Sequence, residues 1–244
     1  MLSLAQLFSH IKRIALLFGL LVVPSAAFTK SPVASIPSRA LQPRSTDIIH
    51  RPTSQPYTGD LSVFEDPQRD KKLQVNRVMD LLGIHTGSVV ADIGAGSGWF
   101  SVRAARRVGS TGRVYAVDIN PSYLRYIRDR AQKEKLPNIR TILGTSDDPR
   151  LPPNSVDAVL LMKTYHEVAQ PILLLRHVHA AMQPGARLGI IDRNGRGYDH
   201  GVNRDVVIAE VQRAGFLLAA EYNFVKPDGA DYFLIFRPSL TATE

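Results

Sequence analysis

Cysteine is absent from the 244-residue chain, and its absence excludes disulfide bonds, thiolate metal sites and a cysteine nucleophile. The sequence also lacks internal repeats and any pronounced run of lysine or arginine. Because the basic residues are dispersed, the formal net charge of +8 indicates ordinary solubility rather than a surface built for nucleic acid. Apolar residues make up 44% and charged residues 21%, the balance of a globular protein with room for one domain and some additional segments.

The first 27 residues differ in composition from the rest of the chain. They contain Lys12 and Arg13 but no acid, and an almost wholly apolar stretch over residues 14–23 precedes Pro-Ser-Ala-Ala. A positive start, an apolar stretch and small residues at its end are typical of a secretory signal peptide. The apolar stretch is shorter than the about 20 residues of a membrane-spanning helix. We expect residues 1–27 to direct export, with an uncleaved membrane anchor or an organellar presequence as alternatives, and the protein to be exported, periplasmic or membrane-anchored.

Residues 28–60 have the composition of a linker. They combine serine, threonine and arginine with prolines at positions 32, 37, 43, 52 and 56. Such a segment has too few apolar side chains to bury a core, so we expect an extended linker whose deletion leaves stability nearly unchanged. The folded domain is accordingly expected over residues 61–244.

From residue 61 onward, short apolar runs alternate with longer stretches whose apolar residues share one helical face. Helices are predicted over residues 66–82, 99–108, 121–135, 167–182 and 203–214. Strands are predicted over residues 88–93, 114–117, 139–143, 156–162, 187–191, 216–223 and 231–237. The alternation predicts an α/β fold with a parallel sheet and helices on both faces, closed by two strands with no helix between them.

A glycine-rich turn, Asp-Ile-Gly-Ala-Gly-Ser-Gly at residues 92–98, follows the first predicted strand. Glycines suit a backbone that turns sharply from strand to helix and approaches a ligand closely. The dinucleotide-binding fingerprint places its third glycine one position later, where this chain has Trp99. A second acid, Asp118, ends the second strand, where a carboxylate can accept hydrogen bonds from both hydroxyls of a ribose.

The turn at residues 92–98 resembles motif I of class I S-adenosylmethionine (SAM)-dependent methyltransferases, and residues 114–118 resemble the family's second motif. The resemblance covers about residues 66–237, and a group of exported bacterial predicted methyltransferases also shares the Asp-Asp-Pro-Arg-Leu-Pro loop and the Tyr-His-Glu after the fourth strand. It implies a Rossmann-like fold with a mostly parallel seven-stranded sheet and an antiparallel last strand. It also implies SAM as the cofactor.

The resemblance further implies which residues hold SAM. Asp92 would hold the methionine end of SAM, and Asp118 would hold the ribose. Asp147, or Asp148 as the second choice, would accept a hydrogen bond from the adenine amine. The backbone of Ser146 would contribute to the same contact. Either loop acid is also compatible with a turn before the proline that follows. The full implied set is Asp92, Gly94, Ala95, Gly96, Gly98, Asp118, Ile119, Ser146 and Asp147.

Ionisable residues follow the fourth and fifth predicted strands, whose C-terminal ends should face the methyl group. His166 is the candidate general base because histidine accepts protons near neutral pH. The alternative is that this histidine only forms a hydrogen bond to a neighbouring loop. Glu167 is interpreted either as catalytic or as a carboxylate at a helix N-terminus. Asp192 and His200 are candidate substrate contacts, and no compact ligand spacing favours a metal site among these four residues.

These patterns predict a SAM-dependent methyltransferase that acts on a small or non-nucleic-acid acceptor. No Asn-Pro-Pro-Tyr or Asp-Pro-Pro-Tyr follows the fourth strand, which argues against enzymes that methylate amino groups of nucleic acids. Because SAM is made in the cytoplasm, a non-catalytic SAM- or nucleoside-binding Rossmann-like protein is the main alternative. A nicotinamide-dependent oxidoreductase and an RNA-modifying enzyme are weaker alternatives. Membrane association is expected only through residues 1–27.

Cleavage of the export segment would leave a mature chain that begins near Phe28. N-terminal sequencing of the protein purified from its own host measures this directly. An intact Met1 on a soluble cytoplasmic protein would contradict the expectation.

Overall fold

The computed structural model describes residues 47–49, 51–226 and 228–239. The predicted export segment and the predicted linker up to residue 46 lie outside the described residues. Within the part of the chain that the structure describes, no helix is long and apolar enough to cross a membrane.

Within the described residues, seven strands form a single sheet. They are β1 (Val89–Ile93), β2 (Arg113–Asp118), β3 (Ile139–Leu143), β4 (Val156–Met162), β5 (Met182–Arg193), β6 (Phe216–Tyr222) and β7 (Asp231–Pro238). Their order is β3-β2-β1-β4-β5-β7-β6. Pairs among β1 to β5 are parallel, whereas β7 runs antiparallel to both β5 and β6. The predicted sheet and its antiparallel last strand are confirmed.

Helices cover both faces of the sheet. They are α1 (Arg69–Leu73), α2 (Val75–Leu81), α3 (Trp99–Val108), α4 (Pro121–Lys133), α5 (Pro171–Ala181) and α6 (Arg204–Arg213). Buried side chains of α1 to α4 share one apolar cluster with the sheet, and those of α5 and α6 share another. Because the central strands are buried on both faces, they read as nearly continuous apolar runs in the sequence.

Two of the predicted helices differ from the helices observed. The first predicted helix is divided into α1 and α2 because Gln74 has a left-handed backbone, with φ of 48°. The helix predicted from residue 167 begins at Pro171, which suits a first helical position, and Tyr165–Glu167 form a separate 3-10 turn. Glu167 therefore does not belong to the first turn of α5.

The end of the predicted linker packs on the domain as a strap, defined here as residues 51–58. Arg51 donates to the Tyr165 carbonyl at 2.9 Å, and its Nε lies 3.2 Å from Glu210 Oε1. The Tyr165 hydroxyl donates to the other Glu210 oxygen at 2.7 Å. All three side chains are largely buried, so Arg51 anchors the strap through charge and hydrogen bonds.

Ser54 is the second anchor of the strap. Its buried hydroxyl donates to the Gly197 carbonyl at 2.8 Å and accepts from the His200 backbone N–H at 2.9 Å. Residues 51–58, which the sequence places in the linker, thus make specific contacts with the domain. Polar side chains hold this segment in place, and a search for apolar residues does not detect such anchors.

Replacing Arg51 with methionine should lower the free energy of unfolding by roughly 3 kcal/mol, because Glu210 keeps its buried charge without a partner. Adding Glu210→Gln should recover part of the loss, since no buried charge then remains. Urea unfolding of the full chain measures both effects, with Lys71→Met at an exposed position as the control. A loss below about 0.5 kcal/mol for the single variant would show that this anchor contributes little.

Candidate active site

A cavity of about 430 Å³ lies where the C-terminal ends of β1, β2 and β4 meet the strap. Small-molecule sites typically enclose roughly 300–1,000 Å³, and ligands of open α/β sheets bind at this edge of the parallel strands. The walls of the cavity include Pro56, Tyr57, Asp92, Gly94, Asp118, Ser146, Thr164 and Glu167.

The glycine turn between β1 and α3 has a backbone that other residues rarely adopt. Gly94, Gly96 and Gly98 have φ values of 72°, 54° and 72°. A Cβ atom on Gly94 would lie 2.2 Å from the Thr164 side chain, so the turn reaches the end of β4 only because this residue lacks a side chain. Gly94, Ala95 and Gly96 line the cavity, whereas Gly98 does not and is the N-cap of α3.

Asp118, the last residue of β2, is held by backbone donors. Its Oδ2 accepts from Gly96 N and its Oδ1 from Asn120 N, each at 2.9 Å. Burial raises the pKa of Asp118, and the N–H groups of Asn120 and Gly96 act in the opposite direction. Each carboxylate oxygen has a further lone pair, so an oriented acceptor lines the cavity beside Ile119. Asp118 lines the cavity, and its contact with a ribose stays a prediction.

Asp92 lines the same cavity from the end of β1. The Ser101 hydroxyl donates to its Oδ2 at 2.6 Å, and burial raises its pKa to about 6. Arg69, which sequence reasoning missed, also lines the cavity and lies over the Trp99 ring at 4.3 Å. The helical pattern at Arg69 resembled an ordinary surface helix, so no sequence signal indicated its position.

The loop after β3 brings only part of the predicted set to the cavity. Asp147 does not line the cavity, and its Oδ1 accepts from the Thr145 hydroxyl at 2.7 Å. Asp148 accepts from the Arg150 backbone N–H at 2.7 Å, as a turn residue does. The cavity is instead lined here by Thr145, Ser146 and Pro149. Asp147 thus lies behind the cavity wall with a bond inside its own loop, and its contact with adenine stays a prediction.

His166 and Asp192 form a buried pair. Asp192 Oδ1 lies 2.9 Å from His166 Nδ1, and Asp192 Oδ2 accepts from the His166 backbone N–H at 3.0 Å. The His200 ring meets the His166 ring edge-on, with centroids 5.7 Å apart. None of these three residues lines the cavity. His166 therefore lies outside the cavity wall, and its role as the general base stays a prediction.

Glu167 lines the cavity and lies next to this pair. Its Oε1 is 3.8 Å from His166 Nε2. Burial raises the pKa of Glu167 to about 7, while His166 and the Tyr57 N–H favour the ionised form. Among the described residues, no group of three or more acids and histidines is arranged to hold a metal ion. A carboxylate that titrates near neutral pH thus faces the cavity.

Residues 90–185 match the family model of a methyltransferase domain. The ubiquinone/menaquinone biosynthesis C-methyltransferase UbiE of Hydrogenovibrio crunogenus is 30% identical over 122 residues, which are 50% of this chain and 48% of that protein. The 2-phytyl-1,4-naphtoquinone methyltransferase of Nostoc sp. is 28% identical over 152 residues, 59% of this chain and 66% of that protein. The chain spans about half the length of most curated relatives that it matches.

Solved structures agree with this match. A SAM-dependent methyltransferase from Aquifex aeolicus aligns with a TM-score of 0.66 at 23% identity, over 73% of this chain and 98% of that one. The [4+2]-cyclase SpnF aligns with a TM-score of 0.60 at 15% identity, over 79% of this chain and 88% of that one. At these identities structural similarity establishes the fold alone, and a fold does not decide a reaction. With the family match, it confirms the resemblance to class I SAM-dependent methyltransferases.

The pH dependence of SAM binding tests the role of Asp92. If Asp92 pairs with the α-ammonium group of SAM, only its ionised form binds well. With a pKa of about 6, affinity should fall about tenfold between pH 7 and pH 5. Calorimetry on the wild type and Asp92→Asn measures this, and the variant should bind weakly with little dependence on pH in that range. The same slope in both proteins would contradict the assignment.

Proposed function

We propose that the protein is a SAM-dependent methyltransferase whose acceptor is a small molecule with a largely apolar body. The observation that carries the proposal is the arrangement of Asp92, Asp118 and Glu167 around one cavity beside the glycine turn. Asp92 and Asp118 match the family's cofactor motifs. Glu167 would lie on the acceptor side of the cavity.

The residues present fit SAM at both of its polar ends. Asp118 would accept from the ribose hydroxyls, and the glycine turn leaves space for the backbone to approach the ligand. Asp92 would hold the α-ammonium group and Arg69 the carboxylate. SAM supplies an electrophilic methyl group bound to a sulfonium.

The acceptor end of the cavity is mostly apolar. Tyr57, whose N–H donates to Glu167, and Val168, the next residue in the chain, line it beside Glu167. Such walls favour a planar or aliphatic molecule over a strongly charged one. The names of the relatives in Hydrogenovibrio and Nostoc point to quinone-type acceptors, which have this character. We therefore place the acceptor among small aromatic compounds and not among nucleic acids.

We propose export for the same protein, on the composition of residues 1–27. The protein would act in the periplasm or at a membrane surface, where apolar acceptors concentrate. A supply of SAM outside the cytoplasm is then required. If that supply is missing, the same site would serve binding without catalysis.

Asp118→Ala should weaken SAM binding about ten- to a hundredfold, because hydrogen bonds to a charged acceptor contribute roughly 1.5–3 kcal/mol. Asp118→Asn should weaken SAM binding less than Asp118→Ala does, since the amide keeps one acceptor oxygen. Calorimetry with SAM and S-adenosylhomocysteine measures both, with Asp129→Ala on the exposed face of α4 as the matched control. A wild type that binds neither ligand would overturn the proposal.

Mass spectrometry of cell extract incubated with isotopically labelled SAM then tests catalysis. Label that appears on a small molecule only with the active protein supports a methyltransferase. Tight SAM binding without transfer to any component would favour the non-catalytic alternative.

A further inference from the structure

Asp192, His166 and Glu167 form a line from the interior of the domain to the cavity. Asp192 is completely buried and contacts both the backbone and the ring of His166. A carboxylate accepts hydrogen bonds, so Nδ1 of His166 donates to Asp192, and the same ring is a cation beside Glu167 when Nε2 also carries a proton. Nε2 faces Glu167 Oε1 at 3.8 Å. Of the three residues, only Glu167 reaches the cavity wall.

We propose that Glu167 is the general base of the reaction, that His166 and Asp192 position it, and that the acceptor is an aromatic hydroxyl compound. This inference rests on the proposed function, because it needs a bound methyl donor. It reassigns the base from the histidine favoured by the sequence to the carboxylate beside it.

The walls around Glu167 indicate why the acceptor is aromatic. Tyr57 belongs to the strap and donates its N–H to Glu167, and Val168 follows Glu167 directly, so two segments supply flat or apolar surface beside the carboxylate. A phenol combines an apolar ring with one hydroxyl that can donate to a carboxylate. An aliphatic ammonium acceptor would gain little from these apolar walls.

The groups around Glu167 set its proton affinity. Asp118 and Asp192 disfavour its negative charge, whereas His166 and the Tyr57 N–H stabilise it, and the half-buried Tyr123 also lies within its field. Burial is the largest influence and brings the pKa to about 7. Phenols ionise near pH 10, as tyrosine does, so a base with a raised pKa is a better proton acceptor for them than an ordinary glutamate.

The proposed step balances without another reactant. The phenol proton passes to Glu167 while a lone pair of the phenol oxygen forms the bond to the methyl carbon. The electron pair of the broken carbon–sulfur bond stays on sulfur. The products are an aryl methyl ether, neutral S-adenosylhomocysteine and protonated Glu167, which returns its proton to solvent.

The first test uses 4-nitrophenol, whose ionisation is visible by absorbance, with the full-length protein saturated with S-adenosylhomocysteine. An ionised Glu167 disfavours a phenolate beside it, so the apparent pKa of the bound probe should rise in the wild type. Glu167→Gln should abolish the rise, and Glu134→Gln, whose side chain has the same 23% exposure as Glu167, should retain it. Equal values in the three proteins, or no binding of the probe, would overturn the inference.

The second test uses 1-naphthol and labelled SAM. Methyl transfer by the wild type should increase with pH and level off above about pH 7, and Glu167→Gln should be at least about a hundredfold slower. His166→Asn retains a donor toward Asp192 but lacks Nε2, so the midpoint should move to higher pH. A purely structural His166 would leave the midpoint unchanged. No transfer to 1-naphthol would overturn the acceptor class.

The two proposals fail in different ways. If the wild type does not bind S-adenosylhomocysteine, the proposed function is wrong. If it binds S-adenosylhomocysteine but the probe does not respond to Glu167→Gln, the methyltransferase proposal stands and only the base assignment is wrong.

Discussion

The contact between Gly94 and Thr164 joins the glycine turn after β1 to the end of β4, and both segments line the cavity. Thr164 Oγ1 lies 3.3 Å from the Gly94 carbonyl oxygen, a contact that a side chain on Gly94 would prevent. The same turn is bound to β2, because the Gly94 and Ala95 N–H groups both donate to the Val117 carbonyl, at 2.8 and 3.0 Å. Three strand ends are thereby held together, and acids from different strands come to line one cavity.

Buried carboxylates dominate the electrostatics of this cavity. Burial raises the pKa of Asp92, Asp118 and Glu167, because desolvation disfavours the ionised form. Arg69 and Lys163 are the cations on the described walls, and Lys163 Nζ lies 2.5 Å from Asp231 Oδ2. A ligand that carries positive charge would favour the ionised acids. The chain is basic as a whole, yet its cavity suits a sulfonium with an α-ammonium group.

The strap shows how one segment couples several parts of the site. Arg51 contacts both Tyr165 and Glu210, while Tyr57 lines the cavity and contributes its N–H to Glu167. A segment outside the sheet thus supplies part of the wall where the acceptor would bind. Its anchors are a buried ion pair and hydrogen bonds, so its position depends on exact partners and not on apolar burial.

Hydropathy and local motifs were sufficient to predict the sheet, the helices that follow the glycine turn and the cavity positions of Asp92 and Asp118. These features depend on residues that are near one another in the chain. The alternation of side chains in a strand, the backbone freedom of glycine and the caps of a helix are all local properties. Only the tertiary structure decided that Glu167 rather than His166 faces the cavity, that Asp147 bonds within its own loop, and that the strap closes one wall. Those outcomes depend on partners far apart in sequence, such as Ser54 and Gly197, 143 residues apart, whose pairing leaves no local pattern.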